Sequence, residues 1–319
     1  MAARTSALPE DPWRHRFSVL TAGSVLVLIF IGGLVTSTGS GLSVPDWPLS
    51  YGKLMPPMEG GVFYEHGHRM AATLVGLLAL VLAGWTARVE SRRQVRRLAW
   101  GGLLMVVAQG VLGGLTVLFL LPPAISIAHG CLAQVYLCLS IGLAYLTSGE
   151  WSQSQGQARD LDQTGLRTTA VAVTALAFLQ LALGAVMRHL GAGLAIPDFP
   201  LVFGGLIPPA ASVPILVHFA HRVGALAVLG AVVWLLLKAR RAGDPRFLRP
   251  AQALLTLVAL QVLLGGATVL LAKEPITTSL HVATGAVVLG LGFFLVLRAY
   301  RMLAPPEVQP LTVPAPAVS

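Results

Sequence analysis

Residues 65–85 read EHGHRMAATLVGLLALVLAGW. Five polar or ionisable positions, Glu65-His66-Gly67-His68-Arg69, run straight into an apolar stretch from Met70 to Trp85. Such a stretch is read as part of a membrane-spanning helix. Ionisable groups at the mouth of a membrane helix are costly and mark a functional site. The pattern recurs at residues 218–222, His-Phe-Ala-His-Arg, which open another apolar run. Two more histidines, His129 and His281, stand alone near the starts of two further runs.

Composition agrees with that reading. Hydrophobic residues make up 55% of 319 and charged residues 11%, with a mean hydropathy of +0.76. This is an all-α, polytopic membrane protein. The net charge of +9 does not point to nucleic acid, because the basic residues are confined to a few loops. Cys131 and Cys138 share one apolar run, so there is neither a disulfide framework nor a zinc-site spacing.

Residues 1–16 are polar and basic and are expected as an N-terminal tail. The first apolar run, about 17–35, has no small-residue cleavage site after it and reads as a retained helix. Further runs fall at about 65–87, 98–120 and 124–146. Each has roughly 20 residues, enough to cross a hydrocarbon core of about 30 Å. A polar linker, 148–165, divides the chain, and after it the pattern repeats. Gly39-Ser40-Gly41-Leu42 returns as Gly191-Ala192-Gly193-Leu194, and Pro45-Asp46-Trp47-Pro48 as Pro197-Asp198-Phe199-Pro200. Gln109, Gly113-Gly114 and His129 return as Gln261, Gly265-Gly266 and His281, always 152 positions later. The chain is thus two homologous four-helix halves, 17–147 and 166–300, with a tail from 301 to 319 expected to be disordered.

An even number of spans per half gives both halves one orientation. Of the 22 lysines and arginines, 17 fall at the N-terminus, in the even-to-odd loops and after the last span. The positive-inside rule then places both termini in the cytoplasm and the two Pro-Asp-aromatic-Pro loops outside. His68, His129, His221 and His281 all come to lie near the outer ends of parallel helices. Four intramembrane histidines in two matched pairs are most naturally heme ligands. A porphyrin held between diagonal helices could take one imidazole on each side, giving one heme site per half. In the 65–69 region an offset of 153 fits better than 152. It pairs His68-Arg69 with His221-Arg222 and Glu65 with His218, leaving His66 as an extra, interfacial histidine.

Other positions carry two readings each. Arg69 and Arg222 either snorkel to the interface or meet heme propionates. The Gly-Gly pairs serve close helix packing or make room for a flat macrocycle. Gln109 and Gln261 read as interhelical hydrogen-bonders, Trp47 and Phe199 as interfacial anchors, and Asp46 and Asp198 as turn or cap residues. Glu65 and Arg69, four residues apart, can form a simple helix pair; alternatively the carboxylate serves chemistry at the heme beside it.

Taken together, GSGLSVPDWP (39–48), Glu65-His66-Gly67-His68-Arg69, His129, His221-Arg222 and His281 resemble the heme A synthase family over roughly residues 17–300. The resemblance implies that His68 and His129 bind the substrate heme O and that His221 and His281 ligate a heme b cofactor. It places the family's motif glutamate at Glu65. It implies oxidation of the heme O C8 methyl group to a formyl group, giving heme A for cytochrome oxidase. It further implies a bacterial cytoplasmic membrane, an electron acceptor, and a place beside heme O synthase and cytochrome oxidase assembly. Many members carry a cysteine pair in the first outer loop, where this chain has Val44 and Ser50. The other reading of the residues is a di-heme electron carrier that modifies no heme; heme or solute transport is a third.

Overall fold

The computed structural model describes residues 11–158, 161 and 164–303. Among these, regular structure is helical apart from two isolated bridges. Eight helices are long and apolar enough to span a membrane. In the first half they are α1 (Pro12–Ser37), α2 (Gly60–Val89), α3 (Arg93–Leu118) and α4 (Pro123–Leu146). A five-residue helix, α5 (Gly149–Gln153), leads to α6 (Leu166–His189), α7 (Val213–Ala242), α8 (Pro245–Leu270) and α9 (Pro275–Met302).

Three helix starts differ from the hydropathy boundaries, α3 among them, which begins at Arg93 and not at 98. α1 begins at Pro12, because the Asp11 carboxylate accepts from the Arg14 N–H at 3.0 Å and proline suits the first turn. Residues 12–16, expected in the tail, are therefore helical. α2 begins at Gly60, so Glu65, His66, His68 and Arg69 sit inside the helix and not at its mouth. The described residues of the polar linker are strapped down. Glu150 of α5 takes hydrogen bonds from Arg298 (2.5 Å) and Tyr145 (3.0 Å), and the Gly156 and Ala158 N–H groups donate to carbonyls of Arg301 and Met302. Of the tail expected to be disordered at 301–319, Arg301 and Met302 instead form the end of α9, and residues from 304 onward lie outside the described residues.

Packing closes each half into a ring. α1 packs on α2, α2 on α3, α3 on α4, and α4 back on α1; α6 to α9 do the same. In each ring the helices bearing the histidines, α2 with α4 and α7 with α9, are diagonal. The rings meet where α9 lies against α1 and α4, and α4 against α6. Small residues such as Ala79, Ala83, Ala99, Ala170, Ala251 and Ala286 are buried at these contacts, letting backbones approach closely. Leucines such as Leu77, Leu104, Leu226 and Leu263 point outward, as a lipid solvent permits.

Away from the long loops, the first ring is fastened by a buried ion cluster. Glu90, 4% exposed, accepts from Arg14 at 3.0 Å and Arg92 at 2.8 Å. Burial by itself would raise its pKa. The Arg92 hydrogen bonds and the charges of Arg92 and Arg14 outweigh that and hold the carboxyl at about 2. A depressed folded value means the contribution is complete above the unfolded value of 4.5 and disappears as pH falls toward about 2. Glu90→Gln leaves Arg14 buried without a counter-charge and should cost about 3–5 kcal/mol. Unfolding in detergent should show the same deficit at pH 6 and pH 8; a variant as stable as the parent would remove the cluster from the account.

Candidate heme-binding sites

Each imidazole expected as a ligand rests on a glycine of the preceding helix. A Cβ on Gly32 (α1) would sit 3.2 Å from His68 Cε1, and one on Gly113 (α3) 3.5 Å from His129 Cε1. In the second ring, Gly184 (α6) and Gly265 (α8) stand in the same way 3.0 Å from His221 and His281. Gly32 and Gly184 are themselves 152 apart, and so are Gly113 and Gly265. The His221 and His281 ring centres lie 6.5 Å apart with planes at 70°. An imidazole nitrogen sits about 2 Å from a bound metal ion, so two imidazoles on one iron have centres roughly 6 Å apart. The Nδ1 atoms of His68 and His129 are each buried without a hydrogen-bond partner. Paired imidazoles on diagonal helices, with glycine floors where a side chain would intrude, fit a heme in each ring.

The Gly-Gly pairs divide their work. The first glycine faces the imidazole, and the second receives the loop aromatic. A Cβ on Gly114 would lie 2.5 Å from the Trp47 ring, and one on Gly266 2.6 Å from the Phe199 ring. Trp47 and Phe199 thus plug the loops onto α3 and α8. Each loop is also closed on itself. Asp46 accepts from the Tyr51 and Gly52 N–H groups (2.6 and 2.8 Å), and Asp198 from those of Phe203 and Gly204 (2.9 and 2.8 Å). The Gly52 and Gly204 N–H groups do most to hold these two exposed carboxyls below their usual range. Tyr51 and Phe203 take the left-handed conformation at φ 54° and 52°, which the paired hydrogen bonds enforce.

The loops are pinned to α2 and α7 by the ionisable residues of the opening motif. Glu65, 4% exposed, accepts from the Val44 N–H at 2.8 Å and from Arg69 Nη2 at 2.6 Å. Arg69 Nη1 donates to the carbonyls of Asp46 and Leu49, both at 2.7 Å. In the second ring His218 occupies the place of Glu65. The Ile196 N–H meets its Nδ1 at 3.3 Å, and Arg222 Nε meets its Nε2 at 3.2 Å. Arg222 donates to the carbonyls of Ile196, Asp198 and Leu201. The matched partners bear out the 153 offset. A carboxylate accepts both donors at once, whereas a neutral imidazole has one lone pair to offer. His66 joins the Ser50 hydroxyl at 2.8 Å, so it too is a loop anchor. Both arginines were expected to choose between solvent and propionates; the structure adds loop carbonyls as their partners. Val44 and Ser50, where the resemblance led one to look for a cysteine pair, are buried and hydrogen-bonded to α2.

Sequence reading passed over Gly32, Gly184 and Gln180. The two glycines were available from the 152 repeat. Gln180 was not, because its first-half counterpart is Leu28. Its side-chain amide lies 3.1 Å from His221 Nδ1 and 2.7 Å from the His221 carbonyl oxygen. Gln109 and Gln261 do bond between helices, Gln109 to the His129 carbonyl at 3.0 Å and Gln261 to the His281 ring at 3.4 Å.

Comparison with known proteins gives one consistent result. A family described as "Cytochrome oxidase assembly protein" matches residues 15–62 and 59–293. A heme A synthase of Symbiobacterium thermophilum is 35% identical over 256 residues, covering 78% of this chain and 83% of the relative. One of Bradyrhizobium sp. (strain ORS 278) is 29% identical over 346 residues and covers 94% of each chain. One of Halalkalibacterium halodurans is 30% identical over 229 residues, covering 70% of this chain and 76% of the relative.

Proposed function

Since the chain belongs to the heme A synthase family, we propose that it is a membrane enzyme that takes heme O as substrate and oxidises its C8 methyl group to a formyl group. The first ring, 17–147, is the substrate domain, with His68 and His129 on the heme O iron. The second ring, 166–300, is the cofactor domain, with His221 and His281 on a heme b iron. The observation that carries this division is the exchange of Glu65 for His218 within one and the same loop frame. In the first ring a buried carboxylate, Glu65, stands three residues before His68 on the same helix, where the second ring has the imidazole His218, and proton-coupled oxidation of a carbon needs a group that can take protons or offset positive charge.

Heme b supplies one-electron transfer out of the substrate site toward an external acceptor. The chain's own residues do the rest. His68 and His129 orient the substrate between the glycine floors of α1 and α3. Glu65, kept in place by the Val44 N–H and Arg69, takes protons released from the methyl group and stabilises charge developing on that carbon. Arg69 and Arg222, one residue beyond the α2 and α7 ligands, are the cations available to heme propionates and would share them with the loop carbonyls.

The charge distribution supports a bacterial cytoplasmic membrane setting with both termini inside and the sites toward the outer face. A reporter fused after Ser319 should read cytoplasmic, and one inserted near Gly60 should read external; the reverse would move both sites to the inner face. Activity itself is tested in a host that makes heme O and no heme A. Expression of the chain should produce heme A in the extracted pigment, whereas a host left with heme O unchanged would refute the assignment.

A further inference from the structure

Arg188, the last residue but one of α6, belongs to the second ring and reaches into the first. Its Nη2 donates to the Gly33 carbonyl oxygen at 3.1 Å and to the Ser37 hydroxyl oxygen at 3.0 Å, both on α1. Ser279 of α9 meets the same spot. Its Oγ lies 3.3 Å from Ser37 Oγ, and a Cβ on Gly33 would sit 3.2 Å from its Cβ. The repeat puts Thr36 at the matching place in the first half, so this cation has no counterpart there.

The spot lies between the two imidazole pairs. Gly184, on which His221 rests, is four residues before Arg188 on the same face of α6, about 6 Å along the axis. Gly32, on which His68 rests, adjoins Gly33, and Ser279 stands two residues before His281.

The charge of Arg188 is open. Arg69 is paired with Glu65, and Arg222 has all three guanidinium nitrogens engaged by His218 and loop carbonyls. Half-buried Arg188 has no carboxylate at ion-pair distance among the described residues, and its Nε and Nη1 have no acceptor there. The carbonyl end of α1 offsets only part of a full charge. A cation without an anion at the outer end of a membrane bundle marks a place for one. Heme carries two carboxylates, and guanidinium groups hold carboxylates by charge-assisted hydrogen bonds. Those acid groups belong at the end of the site nearest water, which is where Arg188 stands.

We propose that Arg188 binds a propionate of the second-ring heme b while tied to α1, anchoring the cofactor to the ring that holds the substrate. This rests on the two-heme reading above.

The test uses the full-length protein carrying His68→Leu/His129→Leu, so that the second-ring heme alone is read. Arg188→Gln keeps a donor for Gly33 and Ser37 and removes the charge. It should lower the heme b midpoint potential, because a nearby cation favours ferrous over ferric iron. It should also shift the propionate bending band in the resonance Raman spectrum and release heme b to excess apomyoglobin roughly tenfold faster. Arg188→Lys keeps the charge and loses the planar fork, so its potential should stay near the parent's while the band still shifts. Ser37→Ala removes an α1 contact and no charge, and should leave potential and band unchanged. A parental potential and band in Arg188→Gln would overturn the proposal and leave Arg188 a clamp between helices. So would a parental band in Arg188→Lys, the variant that decides if the glutamine protein fails to accumulate, or equal shifts in Ser37→Ala. If the His68→Leu/His129→Leu protein itself lacks heme b, the two-heme reading has failed and the proposal falls with it.

Discussion

His221→Met and His281→Met should each yield a protein that inserts at the parental level and lacks low-spin heme b absorbance. The two imidazoles have centres 6.5 Å apart, close to the separation at which both could reach one iron. Each also rests on a glycine, Gly184 or Gly265, where a side chain would intrude on the ring. Removing one imidazole therefore removes half of the axial field, and methionine at that point has no Nδ1 partner to orient it. Heme A formation should fall to background in both variants, since electrons would have no path from the substrate ring. Reduced-minus-oxidised spectra normalised to protein provide the measurement. Full heme b absorbance in both variants would transfer the cofactor to other residues.

Glu65→Gln should bind heme b normally, still take up heme O, and make about a hundredfold less heme A or none, the usual scale for loss of a general base. Glutamine keeps the size of the side chain and can still accept from the Val44 N–H and from Arg69. It cannot take a proton or carry charge. The observed geometry sharpens the contrast with a purely structural role, in which the carboxylate serves only to fasten the first outer loop through its 2.8 and 2.6 Å contacts. If fastening were its whole purpose, glutamine would serve nearly as well, and any loss would follow protein level. Arrest at the hydroxymethyl stage would point to Glu65 in the second oxidation. Near-normal heme A, normalised to heme b, would remove Glu65 from the chemistry.

Much of this architecture is legible in the sequence because lipid makes hydropathy a direct readout of spans, and because a 152-residue repeat exposes positions with equal duties. His129 and His281 stand out in that way, and His68 and His221 through their shared His-Arg dipeptide, one position out of that register. The equivalence of Glu65 and His218 followed from the His-Arg dipeptide alone, and the shared contacts with Val44 and Ile196 explain it. Three things were out of reach. The start of α2 at Gly60 is hidden because Gly60-Gly61 reads as a turn and the polar Glu65-His66-Gly67-His68-Arg69 separates Val62-Phe63-Tyr64 from the apolar run, while the helix continues through all of them. The loop carbonyls that engage Arg69 and Arg222 lie some 20 residues away in the chain and are tertiary facts. Gln180 was missed because repeat comparison rewards identity, and its significance lies in a difference, Leu28.

The most direct test of the division of labour is the pigment of the double variant His68→Leu/His129→Leu, purified from cells supplied with heme O and extracted for chromatography. The account predicts heme b at the parental ratio to protein, with neither heme O nor heme A present. Loss of heme b, or retention of heme O or heme A alongside it, would contradict the assignment of substrate to the first ring and cofactor to the second.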